Sequence, residues 1–126
     1  MTKLNLNQIR QGDVLFVRVG KRPPWAGTEA KRDQYGRLVA EYGEASGHAH
    51  AFHDPNVCGF RVTSPEMAAF AGLDYIEVGG STAIDLRHEY ADGRHAEHVT
   101  VAFSPGGWVR AVQVDEEAEV TRREAD

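Results

Sequence analysis

Apolar residues along this chain come in short alternating bursts separated by Gly, Pro, Asn and Asp. That pattern predicts strands rather than helices. The run Val14-Leu15-Phe16-Val17-Arg18-Val19 is β-branched and aromatic, and it predicts a buried strand. Before it, residues 3–13 read as a polar lead-in with a turn at Gly12-Asp13. Residues 20–36, with Pro23, Pro24, Gly27 and many charges, read as a loop. A second strand is expected over 37–45, ending at the turn signal Ser46-Gly47. A third returns over 48–52 and is broken by Asp54-Pro55-Asn56. Further strands are expected over 57–63, 74–78, 83–90, 99–103 and 108–114. One short helical stretch is expected over 65–71, with Ser64 as N-cap and Pro65 in the first position.

Short strands at regular spacing with little helix predict an all-β antiparallel domain, a small barrel or a sandwich. At 126 residues the chain matches one domain and is long enough to bury a core without staples. Residues 1–114 are expected to form that domain. Residues 115–126 are mostly charged and are expected to be a flexible tail.

Composition narrows the function classes. The net charge of −5 opposes duplex nucleic acid as main partner, because phosphate binding needs a concentrated positive field. The basic residues Lys21, Arg22, Lys31, Arg32 and Arg37 read as an ordinary solvated loop. One cysteine, Cys58, allows no internal disulfide and is expected to be a small buried apolar residue. Neither a signal-like apolar run nor a membrane-length segment is evident, so a cytoplasmic address is expected. GxGxxG, P-loop and GxSxG motifs are absent, which leaves nucleotide and α/β-hydrolase readings without support.

The candidate chemistry lies in the six histidines. In a strand, positions i and i+2 share a face, so His48 and His50 are expected to project side by side. Asp54 follows within reach of that pair. In the strand over 83–90, Ile84, Leu86 and His88 share one face and Asp85, Arg87 and Glu89 the other. A turn at Asp92-Gly93 is expected to bring His98 beside His88. Three or four imidazoles from two hairpins make a recipe for an exchangeable metal site. Zn, Fe, Ni, Mn or Cu would suit such nitrogen and oxygen donors. His53 and His95 are expected outside the cluster. The same histidines can instead form a hydrogen-bonded polar cluster without metal, or His88 with Glu89 can act as an acid–base pair.

The spacing His48-x-His50-x3-Asp54 resembles the first motif of cupins, in which a His-x-His pair and a following carboxylate bind metal inside a β-barrel. A wider resemblance rests on Gly12-Asp13-Val14-Leu15, on Gly43-Glu44-Ala45-Ser46-Gly47-His48-Ala49-His50, on Leu86-Arg87-His88-Glu89 with His98, and on Pro105-Gly106 onward. These elements are similar to a family of small uncharacterised bacterial and phage proteins. That resemblance implies no activity; the matching positions are His48, His50, His88, Glu89 and His98.

The leading expectation is therefore a metal-dependent β domain of hydrolase or oxygenase type. His48, His50, His88 and His98 are its expected ligands, and Glu89 or Asp54 its carboxylate ligand or general base. The rival, from another class, is a binding or assembly module with a structural histidine cluster, contacting a partner protein through the loop around Trp25; a homo-oligomer is the other partner expected.

Overall fold

The computed structural model describes residues 7–43, 47–62, 66, 72–114 and 117–120. Eleven strands occur among them: β1 (Gln8–Gln11), β2 (Val14–Val19), β3 (Ala26–Glu29), β4 (Leu38–Tyr42), β5 (His48–Phe52), β6 (Val57–Val62), β7 (Tyr75–Val78), β8 (Ile84–Tyr90), β9 (Val101–Phe103), β10 (Gly106–Val114) and β11 (Glu117–Val120). They form two antiparallel sheets. The larger runs β1-β2-β10-β7-β6-β3, with β11 pairing β10; the smaller runs β4-β5-β8-β9. The sheets stay open and lie face to face, so of the two expected architectures the sandwich is the one found.

Alternation explains which side of each strand is buried. Val14 and Phe16 of β2, Ile76 and Val78 of β7 and Trp108 of β10 face inward from the large sheet. Leu38 and Ala40 of β4, Phe52 of β5, Ile84 and Leu86 of β8 and Phe103 of β9 meet them from the small one. Phe103 sits at the centre, edge-on to Phe16, Phe52 and Trp108 at centroid distances of 5.7, 5.5 and 5.1 Å. Such edge-to-face aromatic contacts add to the burial energy of the rings.

Three regions differ from the sequence reading. β1 carries only one apolar residue, Ile9, and gained no strand signal. Its pairing with β2 through the two-residue turn Gly12-Asp13 makes it one. β3 lies within the expected loop over 20–36; its residues Ala-Gly-Thr-Glu have no strand pattern, and a register irregularity between Ala26 and Thr28 sets it on β6. The segment leading to it folds onto the outer face of the large sheet. There half-buried Trp25 packs on the cluster of Ala26, Phe60, Tyr75 and Val109 instead of standing free. Cys58, expected buried, is exposed. On β6 it shares the outer face with its cross-strand partner Glu77. The helical stretch expected over 65–71 falls, apart from Glu66, outside the described residues. No helix among the described residues is long and apolar enough to cross a membrane.

Candidate functional site

The inward stripe of β5 reads His48, His50, Phe52, and that of β8 reads His88, Leu86, Ile84. At one end of the sandwich these stripes are apolar and close the core. At the other they turn to imidazole. Cross-strand register sets His50 directly opposite His88, and His48 opposite Tyr90. The segment after Asp92-Gly93 returns along β8, with Ala96 N–H donating to His88 C=O at 2.7 Å. That return delivers His98, which lies just ahead of β9. His50 and His88 stack at 4.4 Å with 16° between rings. His98 lies 4.8 Å from His88 and 6.3 Å from His50, and His48 meets His88 edge-on at 4.5 Å. The four line one cleft of about 500 Å³ together with Asp13, Val14, Glu41, Tyr42, Gly43 and Glu97.

Hydrogen bonding fixes the tautomers. Gln11 donates its amide N–H groups to Leu86 C=O and Val99 C=O, both at 2.8 Å. Its Oε1 therefore faces Nδ1 of His50 at 2.8 Å, so that Nδ1 carries the proton. Nε2 of His50 keeps its lone pair. His88 is the reverse. Its Nδ1 accepts the backbone N–H of Glu97 (3.1 Å) and of His98 (3.0 Å). Its proton sits on Nε2 and is donated to Nδ1 of His48 at 2.7 Å. Burial pushes the pKa of His50 down to about 3, helped by the neighbouring His88, His98, Arg110 and His48. Burial also lowers that of His88, with His48 and His98 adding to it. Both rings are thus neutral near pH 7. As these rings are oriented, no group of three or more His, Cys, Asp or Glu among the described residues is arranged to hold a metal ion.

The other two expected site residues lie elsewhere. Glu89 follows His88 on β8 and so faces the opposite side of the small sheet. There its Oε2 accepts from Arg37 Nη1 at 3.0 Å and lies 2.7 Å from His53 Nε2. Arg37 also donates Nε–H to Asp33 Oδ2 at 2.9 Å. Asp54 lies in the β5–β6 connection, where its Oδ1 accepts Asn56 N–H at 2.7 Å. Neither lines the cleft. His53 and His95 are also outside it: the first is on Glu89, and the second is exposed beyond the turn.

Sequence reasoning missed Gln11, Glu41 and Arg110. Gln11 hangs from the missed strand β1. Arg110 had a readable signal, because it shares the stripe of Trp108 on β10 and a charge on a core stripe calls for a partner. Its Nη1 lies 2.8 Å from Glu41 Oε1, and its side chain is 4% exposed.

The family model described as "Domain of unknown function (DUF8820)" matches residues 10–113. The chain belongs to this family. The matched span begins one residue before Gln11 and ends past Arg110, so it contains every cleft residue named above. No curated protein and no solved structure matches the chain.

Glycines are required at the rim, at Gly43 beside His48 and at Gly12 beside His98. Gly12 has φ +62°, and a Cβ there would fall 2.7 Å from Cδ2 and Nε2 of His98. Gly12→Ala should therefore cost about 1–2 kcal/mol from the left-handed backbone and the clash together. It should also displace His98. Urea denaturation reads the first effect, and the histidine ring signals in NMR read the second. An Ala variant with unchanged stability and an unchanged His98 signal would contradict this packing.

Proposed function

We propose that the cleft binds a divalent transition-metal ion of the imidazole-favouring group, such as Zn, Ni, Cu or Fe. His50 is the anchoring ligand, His48 and His98 complete the nitrogen set, and His88 braces the cluster. The observation that carries this reading is the Gln11–His50 pair. A metal-binding imidazole characteristically donates its other ring N–H to a fixed acceptor, which orients the ring and keeps the ligating lone pair exposed. His50 has that arrangement, is neutral, and so offers its lone pair with little competition from protons.

Binding asks the rings to turn from their present arrangement. His48 Nδ1 must give up the hydrogen bond from His88. That loss is worth about 1 kcal/mol, against roughly 10 kcal/mol available from a structural zinc site. The histidines that carry the sequence resemblance, His48, His50, His88 and His98, are those that line the cleft.

Calorimetric titration of Zn²⁺ into protein purified without a His-tag should show one ion per chain. His50→Ala should lower affinity at least ~10-fold, while His53→Ala, on the other side of the sheet, should leave it unchanged. Substoichiometric binding, or equal affinity in wild type and His50→Ala, would refute the proposal.

A second reading draws on His88, whose two ring nitrogens are both satisfied internally. On this reading the imidazoles are a hydrogen-bonded scaffold for a protein-binding module. Thermal melts insensitive to both chelator and added metal would favour it.

A further inference from the structure

The two carboxylates suggested by sequence lie away from the cleft, yet three others line it, Asp13, Glu41 and Glu97, and of these Glu41 is the one paired across the sheet with His50. We propose that Glu41 is the acidic ligand of the site, so that the bound ion takes a mixed imidazole–carboxylate set. This rests on the metal-binding reading above and names the donor that it leaves out.

The placement follows from a bulge. In β4, Leu38 and Ala40 face the core and Val39 faces outward, so unbroken alternation would send Glu41 outward too. The register shifts between Val39 and Glu41: Val39 pairs with Ala51, and Glu41 pairs with His50. One extra residue in β4 thus turns Glu41 to the inner side, as bulges do when they re-aim a side chain near a functional site. The register then runs Glu41–His50–His88 across three adjacent strands on one face. Glu41 lines the same cleft as the four histidines.

The electrostatics are those of a held ligand. Oε1 of Glu41 is buried against Arg110 Nη1 at 2.8 Å, while the side chain as a whole is 29% exposed. Arg110 comes from the opposite sheet, so the carboxylate is gripped from the core side. The contact is an ion pair rather than a hydrogen bond, so charge is what holds the carboxylate there. A carboxylate also balances an incoming dication better than neutral imidazoles alone.

The test uses Co²⁺ and Zn²⁺ on the full chain, comparing wild type, Glu41→Gln, Arg110→Met and His50→Ala. If Glu41 is a ligand, Glu41→Gln should weaken Zn²⁺ at least ~10-fold and change the visible Co²⁺ spectrum. Arg110→Met leaves Glu41 in place but held less firmly, so it should weaken the ion less than Glu41→Gln does and keep the wild-type Co²⁺ bands. If Glu41 only pairs with Arg110, the two variants should weaken binding equally and leave the Co²⁺ bands in place; that overturns the proposal. Loss of binding in His50→Ala alone, with Glu41→Gln like wild type, overturns it while leaving the metal site standing. Absence of binding in wild type removes both. Far-ultraviolet circular dichroism of each variant separates a lost ligand from a lost fold.

Discussion

Glu89→Ala should lower stability by about 3 kcal/mol, because it breaks a buried ion pair from one side. Glu89 is 1% exposed, and its Oε2 takes both Arg37 at 3.0 Å and His53 at 2.7 Å. Arg37 is itself 7% exposed as a side chain. Burial alone would lower its pKa, but the hydrogen bonds to Glu89 and Asp33 outweigh it and the net direction is up. Removing Glu89 leaves that guanidinium with Asp33, which keeps the cost below that of a wholly orphaned charge. The exposed pair Asp92–Arg94 provides the contrast, since Asp92→Ala should leave the urea midpoint where it is. Equal midpoints for wild type and Glu89→Ala would show that the pair contributes nothing net.

Acid should destabilise the fold from about pH 6.5 downward, and His50 should account for a full proton of that dependence. In the unfolded chain His50 protonates near its ordinary value of 6.5, whereas in the folded chain it stays neutral down to about 3. Between those values the unfolded state binds one more proton, so stability falls as pH falls and is fully present above 6.5. The slope is about 1.4 kcal/mol per pH unit, and the limit is on the order of 5 kcal/mol. The protein should unfold before that limit is reached. The lowered value at His88 acts in the same direction. His50→Gln should remove the slope due to His50 while keeping a side chain of similar polarity. Urea titrations at intervals from pH 7 to pH 4 would measure it; parallel curves for both proteins would contradict the burial argument.

The strands carrying the core were legible because their apolar residues recur with a period of two. β8 and β9 show it, and the same period placed His88 inward and Glu89 outward, whereas β2 was legible as a compact run of β-branched and aromatic residues. The cluster of His48, His50, His88 and His98 was legible for the same reason, together with the turn signal at Asp92-Gly93. What alternation could not show was any break in it. The bulge that turns Glu41 inward depends on the pairing of β4 with β5, a tertiary fact with no local signature at Ala40. β1 and β3 were missed because both hold their places through partners rather than through apolar content. Asp54 was assigned by proximity in sequence to His50. An Asp ahead of Pro55-Asn56 is more readily a turn former, and its bond to Asn56 N–H shows that role.

The hairpin of β1 and β2 sits on β10, almost a whole chain length away. Gln11, which sets the His50 tautomer, therefore depends on one of the last strands to be made, and Arg110 belongs to that strand. A nascent chain emerging from the ribosome would have all of its histidines available before β10 exists. It would lack the platform under Gln11 and the guanidinium opposite Glu41. Long-range pairings of this kind are slow to close, because the loop entropy is spent before the contact is gained. The cleft is consequently a late product of folding. Until then the imidazoles of an incomplete chain lack the partners that orient them in the finished cleft.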